Sequence, residues 1–170
     1  MLFRSYDGAV HQPPIRGVTL AMNEPIGVMA AGCPDGHPLL AFVSMFAPLM
    51  AMGNRVVIVP SQRYPLLATD FYQVLETSDV PAGVVNIVTG ERDALIKVCA
   101  QHNQVDGLWY HGSAAGCQAV EAASVGNLKR TWVNHGLARN WLGESEGQGR
   151  EFLREACQVK NIWIPYGDSI

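Results

Sequence analysis

The chain has 170 residues, of which 48% are hydrophobic and 16% charged, with a formal net charge of −3. This composition excludes intrinsic disorder. A domain of this length buries about 70% of its extended-chain surface, so it needs no disulfide or metal staple. No basic stripe interrupts the slightly acidic balance, which argues against a nucleic-acid partner.

After a lead containing Pro13 and Pro14, residues 15–21 have the β-branched content of a strand. Residues 26–30 predict a second strand. Residues 39–52 predict a buried helix bent at Pro48. That apolar run is too short to span a bilayer, and Asn54 and Arg55 follow at once, so no membrane role is expected. Residues 55–59 (RVVIV) read as a strand apolar on both faces, and 66–77 as a helix starting just after Pro65. Pro81 and Gly83 announce a strand at 84–88. A helix at 93–100, a strand at 107–110, a small-residue helix at 114–124 and a strand at 129–133 follow. Apolar strands separated by helices predict a parallel sheet with helices on both faces. Right-handed crossovers make this a doubly wound, Rossmann-like α/β fold.

Residues 143–149 (GESEGQG) are a linker by composition, and 151–158 read as a short helix. The stretch 159–165 (VKNIWIP), bounded by Val159 and Pro165, is an aromatic and β-branched strand outside the alternating core. Such a strand is expected to pair with a neighbouring domain or subunit. Four cysteines without a CxxC spacing (Cys33, Cys99, Cys117, Cys157) read as reduced, mostly buried thiols of a cytoplasmic protein. No apolar run of signal-peptide length follows Met1. Cys33 and Cys117 fall in Gly-containing loops with room for exposure, and Cys99 on an apolar helix face. Glu24 reads as a solvated carboxylate in a connector.

Candidate chemistry is sparse. The five histidines show neither HxxxH nor HExxH spacing, so no metal site is expected and each reads as a surface or loop residue. His111 and His135, beside strand ends, are the two placed to touch a ligand. After Tyr110 the chain runs His111-Gly112-Ser113-Ala114-Ala115-Gly116. Gly112 permits a tight turn, and Ser113 can cap the next helix while its first N–H groups face a phosphate. The run is neither GxGxxG nor a P-loop, so spacing alone favours an ordinary strand-to-helix turn.

Several segments together carry a family resemblance. Glu24-Pro25-Ile26-Gly27-Val28 resembles the EPIGV segment of the aldehyde dehydrogenase superfamily. Ala47-Pro48, Gly53-Asn54 and Val56-Val57 resemble its AP(x)LAxGN-VV segment, and residues 81–90 (PAGVVNIVTG) its PPGVVNVVxG stretch. Gly112-Ser113 fall in the FTGS coenzyme loop, and Asn127-Leu128-Lys129-Arg130 match the strand leading to ELGGK. The similarity covers about residues 24–136 and implies a coenzyme-binding domain over 24–142. Residues 1–23 correspond to bridging strands, 143–150 to a linker, and 151–170 to a helix and oligomerisation strand.

The departures from the family pattern shape the functional expectation. In Pro34-Asp35-Gly36-His37-Pro38, Gly36 stands where the family has the Asn of its oxyanion site. In Val59-Pro60-Ser61-Gln62, Val59 replaces the ribose-binding Lys and Gln62 the acid. Asn134 replaces the general-base Glu, and Cys117 the second Gly of the coenzyme loop. No GQxC nucleophile context follows Asn140. The resemblance is nearest to the degenerate second unit of the two-unit aldehyde dehydrogenases of family sixteen. It implies a catalytically inactive unit with no catalytic residues, serving structure and oligomerisation beside an active unit or by self-association through the terminal strand. Pro60, Gln62, Gly112 and Ser113 would remain as a vestigial site, with NAD(P) bound weakly or not at all. The alternative is an NAD-binding module or a fragment of an NAD-dependent aldehyde oxidoreductase.

Overall fold

The computed structural model describes residues 8–11 and 16–167. The expected lead through Pro13 and Pro14, and the first and last residues of the proposed outer segments, lie outside those described. Strands β1 (Ala9–His11) and β2 (Gly17–Pro25) come first, followed by β3 (Val28–Gly32) and helix α1 (Pro38–Ala51). Then come β4 (Arg55–Val59), α2 (Leu66–Glu76), β5 (Val85–Ile87), α3 (Arg92–Gln101) and β6 (Gly107–Tyr110). Helix α4 (Ala114–Ala123), a 3-10 turn at Ser124–Gly126, β7 (Arg130–Val133), α5 (Arg150–Glu155) and β8 (Cys157–Pro165) complete the order.

Five strands form one parallel sheet in the order β5-β4-β3-β6-β7. Because side chains alternate along a strand, each central strand feeds two cores. Met29, Ala31, Ile58 and Trp109 pack beside Phe42, Met45 and Leu49 of α1. Ala30, Val59, Leu108 and Tyr110 pack on the other face with Ile96 of α3 and Val120 of α4. This is the doubly wound α/β sheet the sequence predicts. No helix among the described residues is long and apolar enough to cross a membrane.

The remaining strands form a separate antiparallel sheet, β1-β2-β8. The sequence leaves the terminal strand to a neighbouring domain or subunit. Instead, β8 pairs along its whole length with β2 of its own chain, from Gly17↔Pro165 to Pro25↔Cys157. Among the described residues, its other side is the margin of the sheet. Glu24 is therefore a strand residue rather than a connector, and Lys160 Nζ donates to its carboxylate at 3.0 Å.

Asn54 joins the two sheets. Its Oδ1 accepts from Ile26 N–H at 2.7 Å and Gly27 N–H at 3.0 Å, just beyond β2. Its Nδ2 donates to Leu49 O at 2.9 Å and to Ala156 O at 2.7 Å, just before β8. The Gly-rich stretch with a linker's composition is tied down as well: Ser44 of α1 donates to Gly147 O at 2.6 Å.

Candidate functional site

Strand β3 lies between β4, the next strand in the chain, and β6, where the winding reverses. Ligands of such sheets bind beyond the carboxyl ends of the strands at that reversal. A cleft of about 390 Å³ opens there, walled by Asp35, Arg92, His111, Ser113, Asn134 and Trp141 among others. Gly112 and Ser113 stand on its wall, whereas Pro60 and Gln62 lie outside its lining.

The turn after β6 is closed from within. Asn134, at the end of β7, accepts from Gly112 N–H at 3.0 Å and returns a bond from Nδ2 to Gly112 O at 3.2 Å. The same Nδ2 donates to Leu137 O at 2.8 Å, and Cys117 Sγ donates to Oδ1 at 3.2 Å. Only an amide both accepts and donates in this way; a carboxylate at position 134 would face two carbonyls with nothing to give. Ser113 caps α4 by accepting from Gly116 N–H at 3.0 Å. Gly136, at φ +76°, lies so close to Ala114 that a Cβ there would meet its backbone nitrogen at 2.7 Å. A dinucleotide phosphate approaching the start of α4 would have to displace these groups. Beneath the same turn, Tyr110 Oη occupies space that only Gly112 and Gly116 leave free and donates to Asp93 at 2.8 Å.

The opposite wall is held by Arg92. Its guanidinium donates to Cys33 O at 3.0 Å and to Asp93 at 3.0 Å, and stands over the Tyr110 ring. Gln62 Oε1 accepts from Arg92 N–H at 3.3 Å, so the residue that the resemblance sets against the family's ribose contact serves the start of α3. Pro60 is buried, and Val59 is 1% exposed within the second core, so its side chain does not face the cleft. Asp35 accepts from Ser61 Oγ at 2.5 Å and from Arg63 N–H at 3.3 Å. Burial works to raise its carboxyl, but these bonds and the charges of Arg92 and Arg63 outweigh it and hold it below the usual range.

One sequence reading needs correction. His111 is a buried residue at 1% exposure, because its ring packs among Trp132 at 5.1 Å and Trp141 at 5.4 Å. Burial, with help from the Arg139 charge, lowers its pKa to about 4, and neither ring nitrogen has a partner among the described residues. Cys33 and Cys117 are buried, in line with the reading of the cysteines as mostly buried although their Gly-containing surroundings left room for exposure, and burial pushes the Cys33 thiol up despite Arg92. Cys99 is half-buried. His135, by contrast, is exposed as expected, at φ 52°. No group of three His, Cys, Asp or Glu able to hold a metal occurs among the described residues.

Arg92, Arg139 and Trp141 escaped the sequence reading. Two signals could have found them. An arginine opening a helix opposes the helix dipole and so needs another partner, and a tryptophan in a polar, Gly-rich stretch needs somewhere to bury its ring. Arg139 stacks over Phe152 at 4.8 Å and Trp132 at 5.2 Å while its Nη2 pairs with Glu151.

Comparison with known proteins agrees with this architecture. Residues 2–140 match the model of the aldehyde dehydrogenase family. The NADP/NAD-dependent aldehyde dehydrogenase PuuC of Escherichia coli (strain K12) is 33% identical over 120 residues, which cover 70% of this chain and 24% of the relative. Mitochondrial aldehyde dehydrogenase 2 of Saccharomyces cerevisiae is 32% identical over 167 residues, covering 92% of this chain and 33% of the relative. The crystal structure of an apo indole-3-acetaldehyde dehydrogenase superposes with a TM-score of 0.72 at 31% identity, over 76% of this chain and 30% of that one. The chain thus spans about a quarter to a third of the length of these relatives. It belongs to the aldehyde dehydrogenase family and covers that family's coenzyme-binding region.

Proposed function

We propose that this chain is a catalytically silent assembly unit of a cytoplasmic aldehyde dehydrogenase, akin to the degenerate second unit of the family-sixteen enzymes. It would associate with an active unit or with its own copy. The observation that carries this reading is the small sheet. Residues directly opposite in an antiparallel pair share a face. Val10, Leu20 and Ile162 therefore lie on one side with Val18, Ile164 and Met22. On that face Val10 is 73%, Met22 47% and Ile164 46% exposed. The same face carries the Lys160–Glu24 ion pair at one end, and its apolar stretch is the kind of surface a protein interface covers. The free margin of β8 adds a second way to bind, by strand addition.

The silence of the coenzyme cleft follows from its committed donors. Gly112 N–H is bonded to Asn134 and Gly116 N–H to Ser113, and Val59 is a core residue. NAD(P) would bind weakly or not at all. A second reading, a retained NAD-binding module, is favoured by the cleft itself, which lies at the reversal point with Gly112 and Ser113 on its wall.

Two measurements on the full chain decide. Light scattering should find an oligomer, or a complex with an active aldehyde dehydrogenase unit, that Ile164→Lys with Val10→Lys disperses. An unchanged mass in the folded double variant would sink the assembly role. Calorimetric titration with NAD and an aldehyde-oxidation assay on the same sample should both be blank. Saturable binding without turnover would favour the second reading, and turnover would overturn both.

A further inference from the structure

The outer strand of the parallel sheet, β5, is paired on one side only. Val56 N–H donates to Val84 O at 2.7 Å and Val88 N–H to Ile58 O at 3.0 Å, so Val84, Asn86 and Val88 turn their backbone groups to β4. In a parallel ladder the residues between them face the other way. The N–H and C=O groups of Val85 and Ile87 therefore point off the sheet, and no strand lies beyond β5 among the described residues. The strand itself carries neither a charged residue nor a proline, the usual means of blunting such an edge.

A groove of about 590 Å³ runs along this margin, between β5 and the end of α2. Leu75, Val80, Val85 and Ile87 give it an apolar lining, in which Glu76 is the one charged residue. Glu76 sits in the last turn of α2, at the negative end of the helix dipole, and that turn holds no basic residue. Between Arg63 and Arg92 the chain carries Asp70, Glu76, Asp79 and Glu91 but no lysine or arginine. The Glu76 and Asp79 carboxylates have no ion-pair partner among the described residues. A carboxylate at the negative end of a helix, without a cation of its own chain, is an electrostatic cost that a positive partner removes. Tyr72, exposed one turn earlier on the same side of α2, offers a ring on which a guanidinium can stack.

We infer that β5 takes up an extended, basic segment of a partner protein as a further strand of the parallel sheet. Backbone groups of the segment bond to Val85 and Ile87. Its side chains at every second position enter the groove, the apolar ones over Val80 and Ile87 and an arginine between Glu76 and Tyr72. The β5 of a second copy is a poor occupant, because it would bring two sets of the same acids together. The site uses nothing of the three-stranded sheet and stands independently of the assembly role.

The test uses the full chain and a short fluorescein-labelled peptide, in which valine and arginine take turns at every second position with threonine between them. Fluorescence anisotropy should show saturable binding, and hydrogen exchange should slow at the Val85 and Ile87 amides. Replacing the arginines by glutamate, or methylating the peptide's backbone nitrogens, should each weaken binding about tenfold or more, the loss of at least one charge-assisted or backbone hydrogen bond. Ile87→Pro removes an outward N–H while sparing the ladder to β4, and should weaken binding by a similar factor. Glu76→Lys changes an exposed side chain and should do the same, which keeps the test decisive if Ile87→Pro does not fold. Absence of saturable binding overturns the inference. So does equal affinity for the glutamate or methylated peptide, undiminished affinity in a folded Glu76→Lys or Ile87→Pro, or exchange slowed along β8 in place of β5.

Discussion

The five-stranded and three-stranded sheets meet at Asn54 and are clad differently. In the parallel sheet, apolar residues of β3 point both ways and helices of the same chain answer on each side: Met29 and Ala31 face α1, and Ala30 faces α3 and α4. In the antiparallel sheet, the alternation along β2 and β8 also produces an apolar face, yet Val10, Met22 and Ile164 remain exposed. The first sheet has helices of its own chain on both faces; in the second, β2 is paired along its length while the apolar face and, among the described residues, the outer margin of β8 stay open. Backbone pairing and apolar burial are thus separable requirements, and a strand can complete one within its own chain while leaving the other to a partner.

The largest effect should come from breaking the junction. Asn54→Ala removes the partner of the half-buried Ile26 and Gly27 N–H groups and of Ala156 O, while Leu49 O keeps the backbone N–H of position 54, at about 1–3 kcal/mol for each lost partner before relaxation. Urea unfolding should show a loss of roughly 3–5 kcal/mol. A loss under about 1 kcal/mol would mean that the two sheets are not held together there.

Val59→Lys sharpens the account of the parallel sheet. A lysine at this fully packed position must bury or displace its charge, which should cost about 3 kcal/mol. Were Val59 instead a wall of an open coenzyme site, the variant would keep its stability and gain affinity for NAD in a titration.

His111 predicts a pH dependence confined to the same sheet. Its folded pKa of about 4 lies below the ordinary histidine value of about 6.5, so the unfolded chain binds the proton more readily between them. The stability it protects is present in full above pH 6.5 and falls as the pH drops toward 4, by about 3 kcal/mol. Denaturant titrations across this range should show that limb, and His111→Phe should flatten it. An identical limb in the variant would assign the loss to other groups.

The smallest effect on stability belongs to the open sheet. Ile164→Lys on the uncovered face should change folding stability by no more than about 0.5 kcal/mol. A large loss at a dilution where the chain is monomeric would show that the face is already covered within the chain.

Most of the parallel sheet is legible from local pattern. The run RVVIV is β4 to the residue, and Gly107–Tyr110 is β6 as read. The helix after Pro65 begins where expected and ends one residue early. The site is less legible. Gly112 and Ser113 reach the cleft because a strand-to-helix turn at the reversal point must do so. Pro60 and Gln62 do not line it, because Gln62 turns to the start of α3. The role of Asn134 could not be read from its neighbours: its partners Gly112 and Cys117 are about twenty residues away along the chain and meet it only across β6 and β7.

The sequence by itself determined the class of fold, since hydrophobic periodicity and turn residues act over a few positions and are written in order along the chain. It also offered Gly36, Val59, Gln62 and Asn134 as departures from the motifs it resembles. Tertiary structure alone decided which strand β8 would pair with, that His111 would be buried with no partner among the described residues, and that the cleft's donors would be bonded from within. Each depends on groups far apart in sequence meeting at one place, and neither propensity nor spacing carries that information.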